Sequence, residues 1–161
     1  MATTMTTPAT DTHVYIDADA CPVKDETYRV ARRYGLHVTV VANSWMRTPM
    51  DDRIRIEVVG RDMDAADDWI AERVAAHDIV ITADVPLAAR CVEAGAHVLS
   101  PTGRPFTEDN VADALATRDL LTELRSGGVA TGGPPPMSQR DRSRFLQELD
   151  KIVQQSKRRR R

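Results

Sequence analysis

Five short apolar runs constrain this chain most: Val14 to Asp17, His37 to Ala42, Ile54 to Val59, Asp78 to Thr82 and Ala96 to Leu99. Each is rich in β-branched residues, and their apolarity is continuous rather than alternating, the pattern of strands buried on both faces. Helix patterns separate most of them. Pro22 to Tyr34 opens on proline and closes at Gly35, Asp64 to Ala76 sets Ala66, Trp69, Ile70 and Val74 at helical spacing, and Val85 to Ala94 closes at Gly95. This alternation predicts an α/β fold with a mainly parallel five-stranded sheet between helices. Between the second and third strands no helix is expected, because Asn43 to Arg53 contains Pro49 and several polar residues. A long loop leaving a carboxyl strand end is often functional.

After the fifth strand, Ser100 to Pro105 is turn-like, and Thr107 caps a helix running to about Arg125 with Leu115, Leu120, Leu121 and Leu124 on its apolar side. The domain so defined spans residues 13–126. A Gly/Pro-rich linker follows at 127–137, then a helix at 138–155 whose stripe of Phe145, Leu146, Leu149, Ile152 and Val153 docks on the domain. Residues 1–12 read as a disordered tail and 156–161 as a basic one. A chain of 161 residues with 42% apolar content supports a single core. Its start lacks the pattern of a signal peptide and no apolar run approaches a membrane span, so the expectation is a cytoplasmic protein without a membrane partner. Cys21 and Cys91 form neither a disulfide framework nor a zinc spacing.

The net charge of −2 hides an asymmetry: residues 138–161 carry nine Lys/Arg against three Asp/Glu, whereas residues 1–137 carry thirteen against twenty-one. The run Lys157 to Arg161 is explained as a solvated terminus, and it also suits a polyanion partner.

Acids recur where open α/β sheets keep their sites, at carboxyl strand ends. Asp17 and Asp19 close the first run, and Asp84, in Thr82-Ala-Asp84, closes the fourth. Asp64, Asp67 and Asp68 share one helical face, where like charges cost a few tenths of a kcal/mol per pair. Each acid taken singly has a plain explanation as a helix cap, a dipole partner or a surface group. Together they would converge on one sheet edge, which a hard cation such as Mg²⁺ or Mn²⁺ makes tolerable. Thr82 adds a hydroxyl, and Glu108 and Asp109 are a weaker fourth contribution. His13, His37, His77 and His97 are scattered, which argues against a histidine-based metal site.

Lys24, Asn43, Ser44, Trp45, Arg47 and Arg90 fall on the segments expected near that edge. Lys24, Arg47 and Arg90 would bind phosphate. Trp45 beside Arg47 suits base stacking with a guanidinium on phosphate, the combination used for single-stranded nucleic acid.

The runs Tyr15-Ile-Asp-Ala-Asp-Ala-Cys-Pro-Val-Lys-Asp25, Val41-Ala-Asn-Ser44, Asp64-Ala-Ala-Asp-Asp-Trp-Ile70, Ile81-Thr-Ala-Asp-Val-Pro-Leu-Ala-Ala-Arg-Cys91, Phe106-Thr-Glu-Asp-Asn110, Thr131-Gly-Gly-Pro134 and Arg140-Asp-Arg-Ser-Arg-Phe145 closely resemble the bacterial YaiI/YqxD family, from His13 to Val153. That family looks like a divergent branch of the PIN-like superfamily of metal-dependent nucleases. The resemblance implies a three-layer α/β/α sandwich, with Asp17 as the first acid, Asp67 or Asp68 as the helical acid and Asp84 as the acid of the Thr-x-Asp motif. The helical position is usually Glu in PIN-like proteins, and their last acid has no clean match here.

The function expected from these readings is a Mg²⁺- or Mn²⁺-dependent nuclease cutting RNA, or single-stranded DNA, with Asp17, Asp84, Asp67 and Asp68 catalytic and Asp19 joining them as metal ligands. Asn43, Ser44, Thr82 and the three cations would bind substrate. Two alternatives are a haloacid-dehalogenase-like phosphomonoesterase using Asp17 and Asp19, and an RNA-binding module without chemistry. The phosphatase reading lacks a lysine at a later strand end and paired acids after the fourth strand.

Overall fold

The computed structural model describes residues 12–19, 21–62, 64–126 and 136–159. Its sheet has six strands: β1 (His13–Asp17), β2 (His37–Ala42), β3 (Ile54–Val58), β4 (Ile79–Ile81), β5 (His97–Leu99) and β6 (Pro105–Phe106). Five helices accompany them: α1 (Lys24–Tyr34), α2 (Ala65–Arg73), α3 (Val85–Glu93), α4 (Glu108–Ser126) and α5 (Gln139–Arg159). All five expected strands are present. The sixth, only two residues long, pairs antiparallel with β5, whereas every other pairing is parallel.

The strand order is β3-β2-β1-β4-β5-β6. The chain therefore builds outward from β1 in one direction, then returns and builds from β4 in the other. Right-handed crossovers put helices of opposite travel on opposite faces. The cores show this: Val14, Ile16, Val38, Val40, Ile79 and Ile81 pack with α1 and α5, while Tyr15, Val41 and Val80 pack with α2 and α3. Alternate residues of each strand serve opposite cores, which explains why the runs are continuously apolar. The result is a three-layer α/β/α sandwich, with α4 laid on α3.

The β2–β3 connection, residues 43–53, contains no helix. Met46 packs against the α1/α5 core, and Asp51 ties the loop down by accepting from the Arg53 amide at 2.9 Å and Arg32 Nε at 3.1 Å.

Helix α5 does what its stripe predicts, since Phe145, Leu149, Ile152 and Val153 are all buried. It runs further than expected. The sequence reads as a basic tail from residue 156, but Ser156 is fully buried and bonds to the Thr12 hydroxyl and the His77 carbonyl. Lys157 and Arg158 thus belong to the last turn of α5 rather than to a tail. Thr12 is likewise buried, and Met137 packs on the core. The rest of the expected N-terminal tail and most of the linker lie outside the described residues. Among the described residues, no helix is long and apolar enough to cross a membrane.

Helix α5 also crosses the molecule from one sheet edge to the other. At its start, Arg142 Nη1 donates to the Pro22 carbonyl at 3.0 Å and to Glu26 at 2.9 Å, beyond the carboxyl end of β1. Its end meets Thr12 and His77, just before the amino ends of β1 and β4.

Candidate acidic active site

The reversal of strand order falls between β1 and β4, and the crevice at such a switch point is where open α/β sheets bind ligands. A pocket of about 370 Å³ lies there, lined by Asp17, Asp19, Cys21, Asn43, Ala66, Asp67, Ala83, Asp84 and Pro101. Five separate segments supply this wall, and three of them bring acids.

Asp17 ends β1 and Asp84 follows β4, so parallel pairing of the two strands places both at one edge. Thr82, almost fully buried, locks them together. Its hydroxyl donates to Asp17 Oδ2 at 2.7 Å and accepts from the Asp84 amide at 2.9 Å. Asp84 caps α3 by accepting from the Leu87 amide at 2.9 Å through Oδ1. The cap explanation for Asp84 and its place in the pocket are therefore both correct, because one carboxylate oxygen suffices for the cap. Asp19 stands on the turn after β1, which is closed by the Cys21 amide on the Ala18 carbonyl.

Helix α2 contributes Asp67, which lines the pocket, while Asp68 turns away to pair with Arg90 at 2.7 Å with its side chain 54% exposed. Ala66 and Ile70 are the buried positions of this helix, and their packing sets the rotation that separates two neighbouring acids. Asp68 and Arg90 thus satisfy each other outside the pocket lining.

The electrostatics bear the mark of uncompensated charge. The Asp67 carboxyl is pushed up to about 7, first by burial and then by Asp84, Asp17 and Asp64. Asp17 is raised by burial and by Asp84 and Asp19, against the opposing bond from Thr82. Asn43 Oδ1, in the same wall, is a buried oxygen with no hydrogen-bond partner among the described residues. A buried acceptor without a donor ordinarily costs about 1–3 kcal/mol. An oxygen left in that condition beside several carboxylates is in want of a positive partner. Among the described residues no three Asp, Glu, His or Cys side chains are already gathered at ligand spacing. Mg²⁺ does not require that, since it commonly takes one or two carboxylates together with waters and substrate phosphates. The carboxylate and amide donors of the lining are oxygens, which suit Mg²⁺ or Mn²⁺ rather than a softer ion.

Other expected residues sit elsewhere. Lys24 Nζ donates to the Cys21 carbonyl at 2.7 Å, so it stabilises the turn carrying Asp19. Ser44 and Arg47 are exposed on the β2–β3 loop beyond Asn43, and Trp45 between them is 70% exposed. Glu108 lines a different cavity with His77 and His97. The reason is the sixth strand: β6 carries the chain back toward the amino edge before α4 begins.

Cys21 and Pro101 are pocket residues that the acids alone did not indicate. Burial raises the Cys21 thiol above its ordinary value, leaving it a protonated wall group. The signal for Pro101 was its position just after the fifth strand.

A family model described as "Uncharacterized BCR, YaiI/YqxD family" matches residues 15–155. The UPF0178 protein of Rhodopseudomonas palustris strain HaA2 is 58% identical over 154 residues, covering 96% of this chain and 94% of the relative. That of Paramagnetospirillum magneticum is 57% identical over 147 residues, with 91% and 97% covered. That of Bradyrhizobium diazoefficiens is 54% identical over 151 residues, with 94% and 90% covered. The matched span takes in every residue of the acidic pocket and all but the last few residues of α5. The chain belongs to the YaiI/YqxD family.

Proposed function

We propose that this protein is a divalent-cation-dependent nuclease that hydrolyses internal phosphodiester bonds of single-stranded RNA. The observation that carries the reading is the pocket at the switch point, where Asp17, Asp19, Asp67 and Asp84 meet beside the orphaned Asn43 oxygen. Asp17, Asp67 and Asp84 would hold Mg²⁺ or Mn²⁺, with Asp19 at the mouth and Asn43 Oδ1 as a neutral donor. A bound cation supplies Lewis acidity at a phosphoryl oxygen and the means to ionise water at neutral pH.

The chain's own groups do the remaining work. Thr82 fixes the relative positions of Asp17 and Asp84 through one buried hydroxyl. Asp67, pushed up to about 7 by burial and then by its acidic neighbours, ionises as positive charge enters the pocket. Trp45 offers a stacking face and Arg47 a phosphate partner on the loop that begins at Asn43. The exposed aromatic favours a strand with unpaired bases.

The test is cleavage of an internally labelled single-stranded RNA with Mg²⁺ or Mn²⁺ and with EDTA. Cation-dependent internal cuts by the wild type, lost by more than a hundredfold in Asp17→Asn without loss of thermal stability, are the expected outcome; removing a general electrostatic contribution of this kind costs about 10²–10³. Release of phosphate from monoesters with internal bonds intact would instead identify Asp17 as a phosphatase nucleophile. A protein inert towards both would be a binding module.

A further inference from the structure

A second group of charges adjoins the pocket. Pro101, in its wall, belongs to the turn between β5 and β6, which is closed by the Ser100 amide on the Arg104 carbonyl at 3.0 Å and the Gly103 amide on the Ser100 carbonyl at 2.9 Å. The Ser100 hydroxyl accepts from the Arg104 amide at 3.1 Å. This small, fully bonded turn presses on the start of α5. Gly103 has φ of +86°, and a Cβ there would lie 2.7 Å from the Phe145 amide nitrogen and 2.7 Å from Arg144 Cγ.

The contact gathers arginines. Arg104 leaves the turn next to Gly103, Arg144 lies against it, and Arg140 shares the Arg144 face of α5 at i and i+4. Arg104 and Arg140 are exposed, and neither side chain has an ion pair within 4 Å among the described residues. One acid, Asp141, feels both Arg144 and Arg104, the former at 3.9 Å, so the group stays net positive. Arg142 anchors the same end of α5 to Glu26 and to Pro22, the residue after the wall residue Cys21.

We infer that Arg104, Arg140 and Arg144 form a phosphate track that holds a single-stranded nucleic acid on the β5 side of the acidic pocket, opposite the Trp45 and Arg47 loop on the β2 side. The inference rests on the nuclease reading for what happens in the pocket and adds the path of the strand. Three strand spacings, about 14 Å, separate the carboxyl ends of β2 and β5, and the pocket lies between them. A strand of several nucleotides can span that distance; a mononucleotide cannot engage both flanks. The track also reassigns the basic end of the chain. Lys157 and Arg158 lie at the opposite sheet edge, about 25 Å along α5 from Arg140, and take no part.

The test is fluorescence anisotropy with a labelled oligouridylate of about twelve nucleotides, within the usual site size, in Mg²⁺ on the Asp17→Asn background so that the strand survives. Arg104→Gln with Arg140→Gln changes two exposed side chains. Lys157→Gln with Arg158→Gln is the charge-matched control. The first pair should weaken binding about tenfold and flatten the plot of log K against log salt by about 1.4, two contacts at roughly 0.7 each. The control should stay within about twofold of its parent, and uridine monophosphate should bind parent and variant alike. An unchanged affinity and slope, an equal loss in the control, a monophosphate that discriminates as the oligomer does, or a parent that binds no strand would each overturn the track. Arginine-dependent binding by a wild type that cuts nothing keeps the track and removes the nuclease. Cleavage with an arginine-independent slope does the reverse.

Discussion

At the scale of single residues, the pocket depends on which carboxylate is compensated and which is not. Asp68 has Arg90, whereas Asp67 is pushed up to about 7, first by burial and then by Asp84 and Asp17. In the folded protein Asp67 therefore keeps a proton that the unfolded chain has released above about pH 4. Stability falls with rising pH wherever the native state binds more protons, so this group destabilises the cation-free protein progressively from about pH 4 to about pH 7. Urea melts in EDTA across that range should show Asp67→Asn gaining on the wild type as pH rises, and parallel profiles would contradict the coupling. Asp17, Asp84 and the α2 acids were legible because strand ends and helical spacing are visible in sequence. The choice between Asp67 and Asp68 was not, since both share a face and the rotation of α2 is decided by how Ala66 and Ile70 pack.

At the scale of elements, α5 supports the site without lining it, because it packs on the turn that carries Pro101 and holds Pro22 beside Cys21. Gly103 is the point of contact. Gly103→Ala would place a methyl group against backbone at 2.7 Å in a left-handed conformation, and the two penalties together should cost about 2–4 kcal/mol. Denaturant melts read that loss directly; a change below about 0.5 kcal/mol would mean the turn and helix part easily. The apolar stripe of α5 was plain from its spacing. Its direction of travel and its extension through Ser156 were not, because they rest on contacts with Thr12 and His77, which are 144 and 79 residues distant in sequence. The two-residue β6 is likewise too short to leave a periodic signal, and missing it put Glu108 and Asp109 at the wrong edge.

At the scale of the whole molecule, strand order turns scattered acids into a site. The alternation of strands and helices made a parallel α/β sheet legible, but the order β3-β2-β1-β4-β5-β6 leaves no local mark on the sequence. It follows from where each crossover packs. The order matters because it makes β1 and β4 neighbours and opens the crevice between their carboxyl ends, with cations on both flanks and acids in the middle. The most direct measurement of the central claim is an anomalous difference map from crystals soaked in Mn²⁺. The account predicts the strongest peak in the pocket bounded by Asp17, Asp67 and Asp84, and its loss in Asp17→Asn crystals. A well-diffracting soak with no peak there, or with its principal peak at another site, would contradict it.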